Sequence, residues 1–153
     1  MNIIKSDIIE TLYDTFWEDI APVIKDATPK PVLVLVNTYA SGSMEETQLM
    51  KMLSACELVD SQYNIITLLP GEKAAWHKLR EQLHPQFIFL IGIHPTQLGI
   101  SSMFRINEPN NFNDRIWLPT LSINDLELYK ETKKQLWVNG ITPVFIHKRY
   151  GVI

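Results

Sequence analysis

Residues 31–58, PVLVLVNTYASGSMEETQLMKMLSACEL, carry the pattern from which the fold is read. "VLVLVN" is apolar at successive positions instead of alternating, and it is rich in valine. A strand of that kind has both faces covered, as in the middle of a parallel sheet. Beyond it, Ser43 and Glu46 stand at capping-box spacing ahead of Leu49, Met52, Leu53 and Cys56, which recur at helical intervals. The spacing predicts a helix over about 44 to 58. Buried strand, polar loop and capped helix make the first half of a βαβ unit.

The same alternation continues downstream. "NIITLLP" at 64–70 predicts a second strand, stopped by Pro70 and Gly71. A helix through Trp76, Leu79 and Leu83 follows, and "FIFLIGI" at 87–93 predicts a third buried strand that ends before His94 and Pro95. After Gly99 the texture changes to "ISSMFRI" and the turn-rich "NEPNNFND", then to the strand-like "RIWLPTL" at 115–121. Asn124 and Glu127 suggest the cap of a last helix that Gly140 would end, with "TPVFIH" at 142–147 as an edge strand or a packed tail.

Upstream, Ser6 is placed to cap a helix over about 7 to 26, with Ile9, Leu12, Tyr13, Phe16, Ile20 and Ile24 on one face and acids opposite. "DATPKP" at 26–31 breaks it. The expected architecture is a three-layer α/β/α sandwich with a central, mostly parallel sheet. A single domain over residues 1–153 is expected, with an N-terminal amphipathic helix over 1–28 and an α/β core over 30–153.

Composition narrows the function. The longest apolar runs fall far short of the roughly 18–20 residues that cross a bilayer, so no membrane partner and a cytoplasmic location are expected. A formal charge of −3 disfavours a protein that grips phosphates, so direct nucleic-acid binding is expected to be weak or absent. Two local exceptions are Lys130, Lys133 and Lys134 in one helix and the His147, Lys148, Arg149 run. The single cysteine, Cys56, falls on the apolar face of its helix and reads as a buried filler.

Sites in such a sheet lie beyond the C-terminal ends of the strands, here Asn37 to Gly42, His94 to Gly99 and Leu118 to Asn124. "NTYASGSMEE" has one glycine and two acids, a poor match to a phosphate loop. The four histidines have no H-x-x-x-H pair and there is no C-x-x-C, so no metal site or cofactor is expected. No G-x-S-x-G elbow is present. The acids cluster at helix starts, leaving the three loops with amides, hydroxyls and the imidazole of His94. His94 without an acidic neighbour reads more simply as a strand terminator than as a general base. Trp17, Trp76, Trp117 and Trp137 are expected in packing contacts, with the exception to watch at Trp17, which beside Phe16 cannot easily share one buried face.

The segment RIWLPTLSINDLELYKETKKQLWVNG at 115–140, a strand, a serine-bearing turn and a helix with paired lysines before Trp137, resembles the last motif of the uracil-DNA glycosylase superfamily. "FIFLIGIHPTQLGI" is similar to that family's middle strand and turn, and "VLVLVNTYASGSM" occupies the place of its water-activating loop. In active members a histidine in the last motif holds the departing base, and an acid or asparagine in the first positions water. Here Asn37 is the carry-over in the first loop, while Ser122 or a neighbour stands where the histidine would be. The resemblance therefore implies the scaffold without its catalytic residues.

Within the superfamily the chain is most similar to the non-catalytic psi-subunit branch of bacterial DNA polymerase III. The shared features are "LVLVN", "LMKMLSACEL", "LLP" and the late Pro119, Leu121, Ser122, Leu136, Trp137 pattern. An extra strand pair around 87 to 106 and a longer N-terminal helix depart from it. The resemblance implies an adaptor of DNA replication or repair whose partners are a clamp loader or a single-strand-binding protein. Phe16 and Trp17 are then the expected contact residues, and Asn37, Thr38, Tyr39, His94, Thr120 and Ser122 line a vestigial pocket. The alternative is a divergent glycosylase-like enzyme or nucleobase-binding protein that uses the same loops.

Overall fold

The computed structural model describes residues 27–151. The expected helix over 7–26, with Phe16 and Trp17, lies outside the described residues. Four strands run parallel: β1 (Val32–Asn37), β2 (Tyr63–Leu68), β3 (Phe87–Ile91) and β5 (Arg115–Thr120), and the short β4 (Asn110–Phe112) pairs antiparallel with β5. Their order is β2-β1-β3-β5-β4. Helix α1 (Met44–Ala55) connects β1 to β2, and α2 (Trp76–Leu83) connects β2 to β3.

The unalternating strands sit where their composition demands. Val32 to Val36 and Phe87 to Ile91 are all buried, and successive side chains go to opposite faces. Val32, Val34, Val36, Phe87, Phe89 and Ile91 pack with Leu49 and Leu53 of α1, whereas Leu33, Leu35, Ile88 and Leu90 pack with Trp76, Leu79 and Leu83 of α2. Helices thus cover both faces. Each of these buried side chains contributes about 1.5–3 kcal/mol relative to an exposed one. Beneath α2, Trp117 is fully buried and meets Trp76 edge-on at 4.7 Å, with Phe104 and Phe112 at 5.5 and 5.8 Å. Its indole N–H donates to Phe112 O at 2.9 Å, which satisfies the one polar atom the ring takes into the core.

Ser43 caps α1 as its spacing predicts, accepting from the Glu46 N–H at 3.3 Å. The Glu46 carboxylate reaches back to the Gly42 N–H at 3.3 Å, one residue earlier than a strict capping box would have it.

Three expectations fail in the second half. "ISSMFRI" forms no strand, so there is no extra strand pair around 87 to 106; the added strand is β4. There the Asn110 side chain holds the preceding turn, accepting from the Arg105 N–H at 2.9 Å and donating to Arg105 O and Glu108 O at 2.9 and 2.8 Å. The last helical region is capped by Ser122, not Asn124: its Oγ accepts from the Asp125 N–H at 3.2 Å, so that Ile123 can be buried in the first turn. Nor does Gly140 end it. Helix α3 (Ile123–Leu128) breaks at Tyr129, α4 (Lys130–Gln135) resumes, and a π-helical segment (Leu136–Ile146) runs on through Pro143.

Gly140 instead permits a close approach, because a Cβ there would lie 2.6 Å from Leu118 Cδ1 and 3.1 Å from Asn107 O. "TPVFIH" is accordingly a helical tail and not an edge strand. Phe145 packs on Phe87 and Phe89 at 6.3 and 6.2 Å between ring centres.

Candidate functional site

Chain direction makes the switch point of this sheet. From β1 the chain moves to β2 on one side, while β3 lies on the other, so the connections diverge and leave a crevice beyond Asn37 and Gly92. All six residues named for a pocket stand around that crevice. Thr38, Tyr39 and Ser122 line a cleft of about 280 Å³, and His94, Thr120 and Ser122 line a second of about 610 Å³; Asn37 and Ser122 form the wall between them.

What these side chains do there is mostly structural. The Asn37 amide donates to Gly92 O at 3.4 Å, tying the end of β1 to that of β3. Gly92 has φ +73°, and a Cβ on it would stand 2.5 Å from Asn37 Nδ2 and 2.9 Å from Ser122 Cα. The centre of the crevice is therefore filled by the amide and the cap of α3. The Thr120 hydroxyl donates to Asn107 Oδ1 at 2.7 Å in a buried pair. Asn107, itself at φ +64°, sends its N–H to Pro119 O at 2.8 Å.

His94 is spent in a related way. It caps a short 3-10 turn (Pro95–Leu98): its Nδ1 accepts from the Thr96 N–H at 3.2 Å and lies 2.8 Å from Thr96 Oγ1. The Nδ1 side of the ring is thus held against Thr96, with donor and acceptor set by the tautomer. Burial raises the Tyr39 phenol above its ordinary 10.0, and the Glu46 carboxylate adds to the effect, so Tyr39 offers an O–H at neutral pH. The Thr38 N–H is bound to Leu68 O at 2.9 Å.

Sequence reasoning placed no carboxylate at this mouth, and that is corrected. Half-buried Asp125 lines the larger cleft and Glu45 the smaller. Glu45 reads in the sequence as a helix-start residue, whereas Asp125 is not singled out there; both stand in the first turn of their helices, and those helix starts also form the rim. Asn107 was missed altogether, because a positive-φ asparagine in a turn-rich run carries no signal that it reaches the core.

Of the tryptophans, Trp76 and Trp117 are buried, but Trp137 is 42% exposed, against expectation. It lines a separate groove of about 570 Å³ where α1 meets α3, α4 and the π-helical segment. Among the described residues no helix is long and apolar enough to cross a membrane, and no three acidic, histidine or cysteine side chains are grouped to hold a metal ion. Neither a protein-family model, nor a curated protein, nor a solved structure matches this chain.

Proposed function

We propose that the chain is a non-enzymatic adaptor of DNA replication or repair, built on a uracil-DNA glycosylase-like scaffold and similar to the psi subunit of bacterial DNA polymerase III. The observation that supports this reading best is the use made of the pocket's polar groups. Asn37, His94, Thr120 and Ser122 are each committed to a bond that holds a strand end or a helix start. A site for cleaving a glycosidic bond needs donors left free to meet charge as it develops on the base. Its partners, on this reading, are a clamp loader or a single-strand-binding protein, reached in part through Phe16 and Trp17.

The test has two arms. Purified protein is assayed for base release on uracil-containing single-stranded and double-stranded DNA. It is also used, as wild type and Trp17→Ala, to recover clamp-loader and single-strand-binding proteins. Recovery by the wild type with no base release supports the adaptor. Base release that disappears in Asn37→Ala overturns it.

One observation favours a second reading, a divergent nucleobase enzyme or binding protein: Asp125 and His94 line the same cleft of about 610 Å³. Loss of base release or of nucleobase binding in Asp125→Asn would select it.

A further inference from the structure

The groove at α1, α3 and α4 differs from the switch-point crevice in composition. Its floor is apolar, formed by Met52, Leu126, Ile141 and the exposed ring of Trp137. Its rim is basic: Lys51, Lys130, Lys133 and Lys134 surround it against the single acid Glu127. Lys133 is paired with Glu127 at 2.7 Å, and Lys51, Lys130 and Lys134 have no ion pair among the described residues. A chain with formal charge −3 thus gathers three lysines, without an ion pair among the described residues, around its exposed tryptophan. Lys130, Lys133 and Lys134, a local basic exception in the sequence, border an apolar hollow in the fold.

We propose that this groove docks an acidic amphipathic helix supplied by a partner protein. The inference rests on the adaptor reading and deepens it by assigning a surface and the chemistry of what binds there. Apolar residues at i, i+3, i+4 and i+7 of such a helix lie on Met52, Leu126 and Trp137, and its flanking carboxylates meet Lys51, Lys130 and Lys134. Charge complementarity selects this occupant: a basic or neutral helix would leave the lysines facing like charge or nothing. The chain's own N-terminal stretch is acidic too, but Ala27, the first described residue, packs against the apolar cluster on the α2 face of the sheet, opposite the groove. The described chain thus begins on the face of the sheet away from the groove, which favours a separate chain as the source.

The experiment uses the full chain and a fluorescein-labelled synthetic peptide with leucine at i, i+3, i+4 and i+7 and glutamate elsewhere. A peptide with lysine in place of glutamate serves as the control, and binding is read by anisotropy. The glutamate peptide is expected to bind, to weaken as salt rises, and to bind about tenfold more weakly to Trp137→Ala and to the Lys130→Glu, Lys134→Glu double variant. All three substituted positions are exposed, and matching thermal midpoints keep a folding defect from imitating the result. Equal binding of the lysine peptide, or glutamate-peptide affinity unchanged in both variants, overturns the proposal. Sedimentation without peptide provides a further readout: self-association that is lost in Trp137→Ala would make the occupant a second copy of this chain and overturn the partner assignment. Failure here leaves the base-release assay untouched, and base release leaves the groove's binding untouched, so the two ideas fail separately.

Discussion

The hydroxyl of Thr120, at the end of β5, donates to the side-chain carbonyl of Asn107 across 2.7 Å, and both residues are buried. This bond joins the last parallel strand to the turn that precedes β4. Thr120→Val removes the donor and leaves a buried acceptor without a partner, at an expected cost of about 1–3 kcal/mol in urea unfolding. Asn107→Ala should cost more, because asparagine also tolerates the positive φ better than alanine does. A double-mutant cycle with a coupling near zero would show that the two residues act independently.

Gly92 gives a steeper prediction. Alanine there must adopt φ +73° and place a methyl 2.5 Å from the Asn37 amide and 2.9 Å from the Ser122 main chain. Left-handed backbone costs roughly 1–2 kcal/mol, and overpacking adds about 1–3 kcal/mol more. Combining it with Asn37→Ala should recover only part of the loss, since the Ser122 main chain stays in the way. Thermal midpoints of the single and double variants check this.

The tryptophans should separate cleanly. Trp117→Ala opens a hole in the aromatic cluster with Trp76 and is expected to lose about 3–5 kcal/mol. Trp137→Ala removes a half-exposed ring and should shift stability by no more than about 0.5–1 kcal/mol. In the folded protein, acrylamide should quench a component of the fluorescence that is absent in Trp137→Ala.

Cys56 couples stability to alkaline pH. Burial pushes its thiol from the ordinary 9.0 up to about 12, so the folded chain keeps a proton that the unfolded chain gives up first. Its contribution is whole below 9.0 and declines as pH rises toward about 12. The urea midpoint of wild type should therefore fall more than that of Cys56→Ala between about pH 8 and about pH 10. Ellman's reagent should label the thiol only after denaturation.

The four parallel strands and the first two helices of the described chain were legible because each carries a single local pattern. Val32 to Val36 and Phe87 to Ile91 are apolar on both faces, and Ser43 precedes its helix at the right spacing. Apart from β5, the last third was not, since its structure is decided by contacts distant in sequence. Gly140 looks like a helix stop until Leu118 and Asn107 are seen to press against it. Asn110 looks like loop until its amide is seen holding Arg105 and Glu108. The crevice residues could be named from strand ends alone, but not what they bind, because the partners of Asn37 and Thr120 lie in other segments.

Asn110 has a consequence for how the molecule meets others of its kind. Any open sheet ends in a margin of unpaired amides and carbonyls that invites strand addition by a neighbouring chain. On the β5 side that margin belongs to β4, only three residues long and bracketed by the turn that Asn110 fastens. So brief a margin is a poor template for β-augmentation or for the first step of aggregation, which turns strand addition away from this border.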